Sequence, residues 1–232
     1  MIIIEAEKLC FSYDGERKIL DDMNFEIGVG EMIGIIGDSG SGKSTLCHVL
    51  CGIIPNLICG TISGNVSVAG KQLRDCDLKS LSGTIGFIMK NHDRQIVTSS
   101  VEDELAFGPE NLCVPPEKIN ERIDEVLAAL DIENIREIDP NKLSEGQKHL
   151  VTIGAVMTLQ PDILVLDEPF GYLDNDNKKM VKGILKELQE AGRTVIIAEH
   201  DLDMLRDADK WLLLENGRVK MFDIPEKVRK HI

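Results

Sequence analysis

Three short runs of this sequence carry residue types suited to handling a triphosphate. The first is GDSGSGKST, residues 37–45. It satisfies G-x-x-x-x-G-K-[ST], a spacing in which Gly37, Gly40 and Gly42 let backbone N–H groups converge on phosphate oxygens. Asp38, Ser39 and Ser41 fill the turn between the glycines. Lys43 is placed to neutralise the terminal phosphates and Ser44 to hold Mg²⁺, while Thr45 enters a helix whose N-terminus adds a positive field. The second run, ILVLDEP at 163–169, ends an apolar strand on two acids. Asp167 there can reach a metal through water, and Glu168 is the candidate for polarising an attacking water. The third, AEHD at 198–201, sets His200 at another strand end, within reach of a γ-phosphate.

A fourth run, LSEGQ at 143–147, poses a separate question. Ser144 with Gln147 three residues later forms a capping box, which satisfies two orphan donors at a helix start. Gly146 is not needed for a cap and costs about 1 kcal/mol against alanine, which points to a close backbone approach. A capped helix start is also an anion site.

These residues need a scaffold, and the patterning supplies one. The runs MIGIIG (32–37), TIGFIM (84–89), DILVLD (162–167) and TVIIAE (194–199) are short and nearly unbroken, as in parallel strands covered on both faces. NVSVAG and the segments 2–8 and 24–28 alternate, which predicts half-buried strands of an antiparallel lobe, and WLLLENGRVKMF reads as a hairpin. Between Lys90 and Leu159 the pattern turns helical, with Ser100, Pro116 and Ser144 as start signals. Ile119, Ile123, Val126, Leu127 and Leu130 give the middle helix one buried stripe. A further helix is expected from Asp201.

The 232 residues, 43% hydrophobic and 28% charged, suit one α/β domain or a core with an inserted subdomain. Net charge is -14, with 40 acidic against 26 basic residues and no basic cluster, so a nucleic-acid partner is not expected. IIPNLI and DILVL fall far short of the ~20 apolar residues of a membrane-spanning helix, so any membrane role is borrowed from a partner. MIIIEAEKLC lacks the basic start and cleavage site of a secretion signal and reads as a strand, which places the protein inside the cell. Six cysteines form no CxxC pair. Cys47 and Cys51, one helical turn apart, could pair on a metal or pack in a core, and they are read as packing.

In this order the phosphate loop, LSEGQ, LDEP, GYLD (171–174) and AEHD resemble the ATP-binding-cassette (ABC) family, over essentially the entire chain. The resemblance implies an α/β fold: a P-loop NTPase (RecA-like) core with a mostly parallel sheet, an antiparallel β lobe and an inserted helical subdomain. Residues 1–232 would form one ABC ATPase domain, 1–89 and 160–232 being core plus β lobe and 90–159 the helical subdomain. It also implies ATP and Mg²⁺ as cofactors, the metal falling to Ser44 and Asp167 and catalysis to Glu168 and His200. In that family the turn matching LSEGQ binds the γ-phosphate of ATP held by another subunit, so Ser144, Gly146 and Gln147 would serve a head-to-tail dimer. Asp174 in GYLD resembles the dimer-contact aspartate. Tyr13 in FSYDG resembles the aromatic that stacks on adenine, although as a residue it reads equally well as part of a strand.

NHDRQIVTSSVEDELAFGPENL (91–112) is similar, more narrowly, to the ATPases of energy-coupling-factor and cobalt-type importers, which drive uptake of vitamins or transition-metal ions. This implies a membrane scaffold protein and a separate substrate-binding membrane protein as partners, and a peripheral position on the cytoplasmic face of the cell membrane. Glu102, Asp103 and Glu104 would lie near the groove for the scaffold's coupling helices, or else form an acidic first turn favoured by the helix dipole. The sequence departs from the family where Lys90 stands for a metal-contacting glutamine, Gln95 matching a different position, and where Glu145, Leu150 and Phe170 replace a glycine, an arginine and a threonine. An ammonium cannot ligate a metal. Lys90 therefore either contacts the γ-phosphate or slows hydrolysis, and a heterodimer with a second ATPase chain is open beside a homodimer. Two rivals stand beside the transport reading: a soluble ABC ATPase acting on DNA or ribosomes, and an ATP-binding switch with weak hydrolysis.

Overall fold

The computed structural model describes residues 1–91 and 95–232. Strands β1 (Ile2–Ser12) and β2 (Leu20–Gly28) precede β3 (Met32–Ile36), which runs through the phosphate loop into α1 (Lys43–Leu50) and the short α2 (Ile53–Asn56). Next come β4 (Thr61–Val68), β5 (Lys71–Gln72), α3 (Leu78–Leu81) and β6 (Ile85–Ile88). Helices α4 (Val101–Asn111), α5 (Pro116–Ala129) and α6 (Glu145–Met157) separate β6 from β7 (Ile163–Asp167). The chain closes with α7 (Asn175–Glu190), β8 (Thr194–Ala198), β9 (Lys210–Glu215), β10 (Arg218–Asp223) and α8 (Pro225–Val228). His92, Asp93 and Arg94, part of the 91–112 run, lie outside the described residues.

Two sheets result. One has the order β2-β1-β4-β5 and is antiparallel; the other has the order β10-β9-β3-β8-β7-β6 and is parallel except for the β9–β10 hairpin. The unbroken apolar runs follow from burial on both faces, because alternate residues of one strand enter different cores. Ile163, Val165, Ile196 and Leu212 pack with the antiparallel sheet and α1. Leu164, Leu166, Val195, Ile197 and Trp211 pack on the opposite side with residues of α4, α5, α6 and α7. Cys47 and Cys51 are buried in the first of these clusters.

Two sequence expectations need correction. The first two strands are longer than the alternating segments suggest, reaching Ser12 and back to Leu20, so Tyr13 lies just past a strand end and is not a strand residue. No helix begins at Asp201; residues 202–207 form successive turns. Their N–H groups bond three residues back, as from Met204 to Asp201 and from Leu205 to Leu202. The Leu205 carbonyl, which a helix would use, accepts from the buried indole of Trp211 at 3.0 Å.

Candidate functional site

Helix α1 starts without a side-chain cap. Its N-cap is Gly42, in left-handed conformation at φ 107°, and no acidic residue sits in its first turn. By contrast Ser100, Ser144 and Asp174 cap α4, α6 and α7 with their own oxygens. The first N–H groups of α1 are thus left to an anion. Gly37 is required sterically, since at φ 145° a Cβ would overlap the Leu214 carbonyl. Asp38, Ser39 and Gly40 form the exposed rim, and the Ser41 N–H donates to Asp38 O at 3.1 Å. Lys43 is folded back over the loop, its Nζ donating to Gly37 O at 2.6 Å and Asp38 O at 3.0 Å.

The carboxyl end of β7 closes against this loop. Asp167 is buried, and burial pushes its carboxyl above the ordinary range while the Ser44 hydroxyl pulls it down. Ser41 Oγ and Asp167 Oδ1 are buried without a hydrogen-bond partner among the described residues. Such orphans are costly unless a ligand engages them. A hard cation taking oxygen ligands suits the Asp167 carboxylate beside the Ser44 hydroxyl, so the residues present fit Mg²⁺ with a phosphate.

Glu168 adopts φ 52°, a left-handed conformation uncommon for a side chain with a Cβ, and its N–H donates to Ala198 O at 2.8 Å. That bond draws the ends of β7 and β8 together. The Glu168 carboxylate then meets two side chains: Lys90 Nζ at 2.8 Å on Oε1 and His200 Nδ1 at 3.9 Å from Oε2. The contact holds the Lys90 ammonium above its ordinary pKa. Tyr13 stands in the turn after β1, 47% exposed, with its hydroxyl 3.1 Å from Thr45 Oγ1.

Lys43, Ser44, Asp167, Glu168 and His200 therefore converge at one sheet edge, with Tyr13 joined through Thr45. Ser144, Gln147 and Asp174 do not join them: their side-chain hydrogen bonds stay within their own helix caps. The capping box at Ser144 is present as expected. A Cβ on Gly146 would come 3.2 Å from Tyr172 O, the close approach that its residue type suggested, so the α6 tip lies against the GYLD turn.

The acidic trio is not a uniform docking surface. Glu104 is buried, its Oε2 accepting from Val97 N–H, Thr98 N–H and Thr98 Oγ1 at 2.8–3.0 Å. Glu102 pairs with Arg136 at 2.7 Å, and Asp103 alone of the three is exposed. Two further residues bear on the site without having been singled out. His149, on the buried face of α6, bonds Pro169 O through Nε2 at 2.6 Å. Glu199 is buried beside His200, and the signal for it was an acid closing an otherwise apolar strand run.

A parallel sheet with an uncapped glycine loop, a buried aspartate and an adjoining glutamate at its carboxyl edge defines the class of phosphate-loop nucleoside triphosphatases. Comparison with known proteins narrows this. Residues 20–171 match the model of the ABC transporter family. The chain is 37% identical over 237 residues to the energy-coupling factor transporter ATP-binding protein EcfA1 of Caldanaerobacter subterraneus subsp. tengcongensis, covering 99% of this chain and 83% of that one. It is similar to the structure of cbiO1 from Clostridium perfringens, described as part of the ABC transporter complex cbiONQ, with TM-score 0.85, 32% identity and 99% and 91% of the two chains covered. A dimeric post-hydrolysis structure of the ATP-binding cassette MJ0796 bound to ADP and Pi matches at TM-score 0.84 and 25% identity, over 96% and 98% of the chains. The chain belongs to the ABC transporter family of ATPases.

Proposed function

We propose that this chain is the ATP-hydrolysing subunit of an energy-coupling-factor type importer for vitamins or transition-metal ions. It is held at the cytoplasmic face of the membrane by a transmembrane scaffold protein, which also carries a substrate-binding membrane protein. It acts as a head-to-tail dimer with a second ABC ATPase subunit, a copy of itself or a related chain. Residues 1–232 serve as one ABC ATPase domain, with 90–159 as its helical subdomain. The names of the similar proteins support the importer class. No helix of the described residues is long and apolar enough to cross a membrane, which is compatible with a peripheral subunit. The observation that carries the reading is the buried, unpartnered Asp167 oxygen beside Ser44, with Glu168 and His200 in contact one residue on.

In this reading Lys43 exchanges its two carbonyl acceptors for phosphate oxygens, a stronger, charge-assisted pairing. Gly37 to Thr45 cradle the phosphates, and Tyr13 stacks on the adenine. Ser44 and Asp167 would hold Mg²⁺, which would supply charge neutralisation to the triphosphate. Glu168 accepts a proton from the attacking water, and His200 contacts the γ-phosphate. The partner subunit supplies its Ser144–Gln147 helix tip, with Asp174 at the dimer contact. ATP closes the dimer because both subunits bond its phosphates, and hydrolysis removes one anchor. Glu168→Gln is therefore expected to accumulate an ATP-bound dimer, read by size-exclusion chromatography with Mg²⁺-ATP. Turnover at the parent rate in that variant would defeat the assignment.

A second reading, a nucleotide-binding switch with weak hydrolysis, is favoured by one contact, the Lys90–Glu168 pair at 2.8 Å. Single-turnover hydrolysis by the purified chain separates the two. Prompt phosphate release supports the ATPase reading, and retention of bound ATP supports the switch.

A further inference from the structure

Strand β8 is apolar from Val195 to Ala198 and is followed directly by an acid with almost no access to water, Glu199 at 2% exposure. The sheet does not need an acid there. The Glu199 N–H bonds Ile35 O at 3.1 Å, a backbone contact open to any residue but proline. A buried carboxylate is unfavourable unless donors converge on it. Two backbone donors do so on one oxygen, Oε1 accepting from His200 N–H at 2.8 Å and from Asp201 N–H at 3.3 Å, and His200 Nδ1 lies 2.9 Å from the same oxygen.

The ring so held is itself 69% exposed. Its Nδ1 faces two carboxylates, Glu199 at 2.9 Å and Glu168 at 3.9 Å. An acceptor on one imidazole nitrogen fixes the proton there and leaves the other nitrogen to the reaction, the logic by which a buried acid orients a catalytic histidine. Glu168 cannot do this as well. It is farther from the ring and is already bonded to Lys90.

We propose that Glu199 is a positioning residue for hydrolysis: it holds the Nδ1 proton of His200, fixing the tautomer and aim of the ring so that Nε2 addresses the γ-phosphate. The proposal rests on the reading of His200 as a γ-phosphate contact. No bond to substrate is made by Glu199, and the proton stays on Nδ1.

The test uses the full chain. ¹⁵N NMR of labelled imidazole at alkaline pH, without nucleotide, is expected to show the His200 proton on Nδ1 in the parent. Glu199→Gln keeps the size and one carbonyl but can present an N–H₂ to the ring, and it is expected to move the proton to Nε2. Its kcat should fall about 10- to 100-fold with KM changed less than about twofold, the range for removing the partner that orients a ligating or catalytic histidine. Glu199→Asp should recover part of the loss. A parent ring protonated on Nε2 overturns the proposal with no variant required. So does an unchanged kcat in Glu199→Gln when His200→Ala is impaired, a result that leaves the wider reading standing. An unimpaired His200→Ala overturns both.

Discussion

Lys90 illustrates what one residue can do to a site. At 58% exposure it still reaches Glu168, while Gln95 nearby spends its amide on the backbone of β6, accepting from Met89 N–H at 2.7 Å and donating to Phe87 O at 2.8 Å. The departure at Lys90 was visible in the sequence; its partner was not, because the two lie 78 residues apart and only the β6–β7 pairing brings them together. An ammonium bonded to Oε1 occupies one oxygen of the group proposed to take the water's proton. Lys90→Gln is therefore expected to raise kcat by about two- to fivefold, the scale of a largely exposed ion pair, in steady-state assays with Mg²⁺-ATP. A fall in kcat would mean that Lys90 acts on the phosphate instead. Glu199 makes a separate prediction in stability. Burial raises its carboxyl above the ordinary value, so the folded chain binds a proton that the unfolded chain does not. Stability from this group is fully present below the ordinary carboxylate pKa and is lost as pH rises through the raised one. On acidification toward the ordinary carboxylate pKa the parent should gain more thermal stability than Glu199→Gln, as followed by melting.

At the scale of elements, two short segments govern what the site can hold. The turn after β1 is tied by Asp14, whose Oδ1 accepts from Ser12 Oγ, Glu16 N–H and Arg17 N–H at 2.9–3.0 Å. The Arg17 and Glu16 amides lead in holding its carboxyl down to about 2. The tether is thus present above the ordinary carboxylate value and lost only as pH falls through about 2, so amide-exchange protection at Glu16 and Arg17 should persist well into acid. Asp14→Ala should loosen the turn and lower ATP affinity about three- to tenfold, on the scale of a charge-assisted hydrogen bond, as measured by titration calorimetry. The second segment is the α6 tip. Gly146→Ala gains about 1 kcal/mol of helix propensity but forces Tyr172 O to give way, so the melting temperature should move little. The ATP-induced dimer of a Glu168→Gln background should nevertheless be lost. The helices and strands that place these segments were legible because a 3,4 spacing in α5 and double-sided burial in β3, β7 and β8 leave clear periods. The turns after His200 were not, since the Trp211 indole that also bonds the Leu205 carbonyl arrives from another strand.

For the whole molecule, the proposed arrangement predicts complementation between defective chains. Lys43→Ala and Ser144→Arg should each be inactive alone. Mixed, they should regain part of the parent turnover, because one of the two composite sites in a mixed dimer keeps both halves; no recovery would exclude the head-to-tail pairing. Ser144 and Gln147 announced their helix cap in the sequence, yet one chain gives no view of what that cap faces. The apolar cluster under α4, α5 and α6 bears on how such a machine moves. Leu105, Ile123 and Val151 share one continuous core with Leu164, Val195 and Trp211 of the sheet. A seam of interdigitated side chains resists swinging open like a door, which would wet its full area at once, but tolerates small sliding steps. Strokes transmitted from the proposed membrane partner to the nucleotide should then be short and stiff, losing little of ATP's energy in deforming the lever.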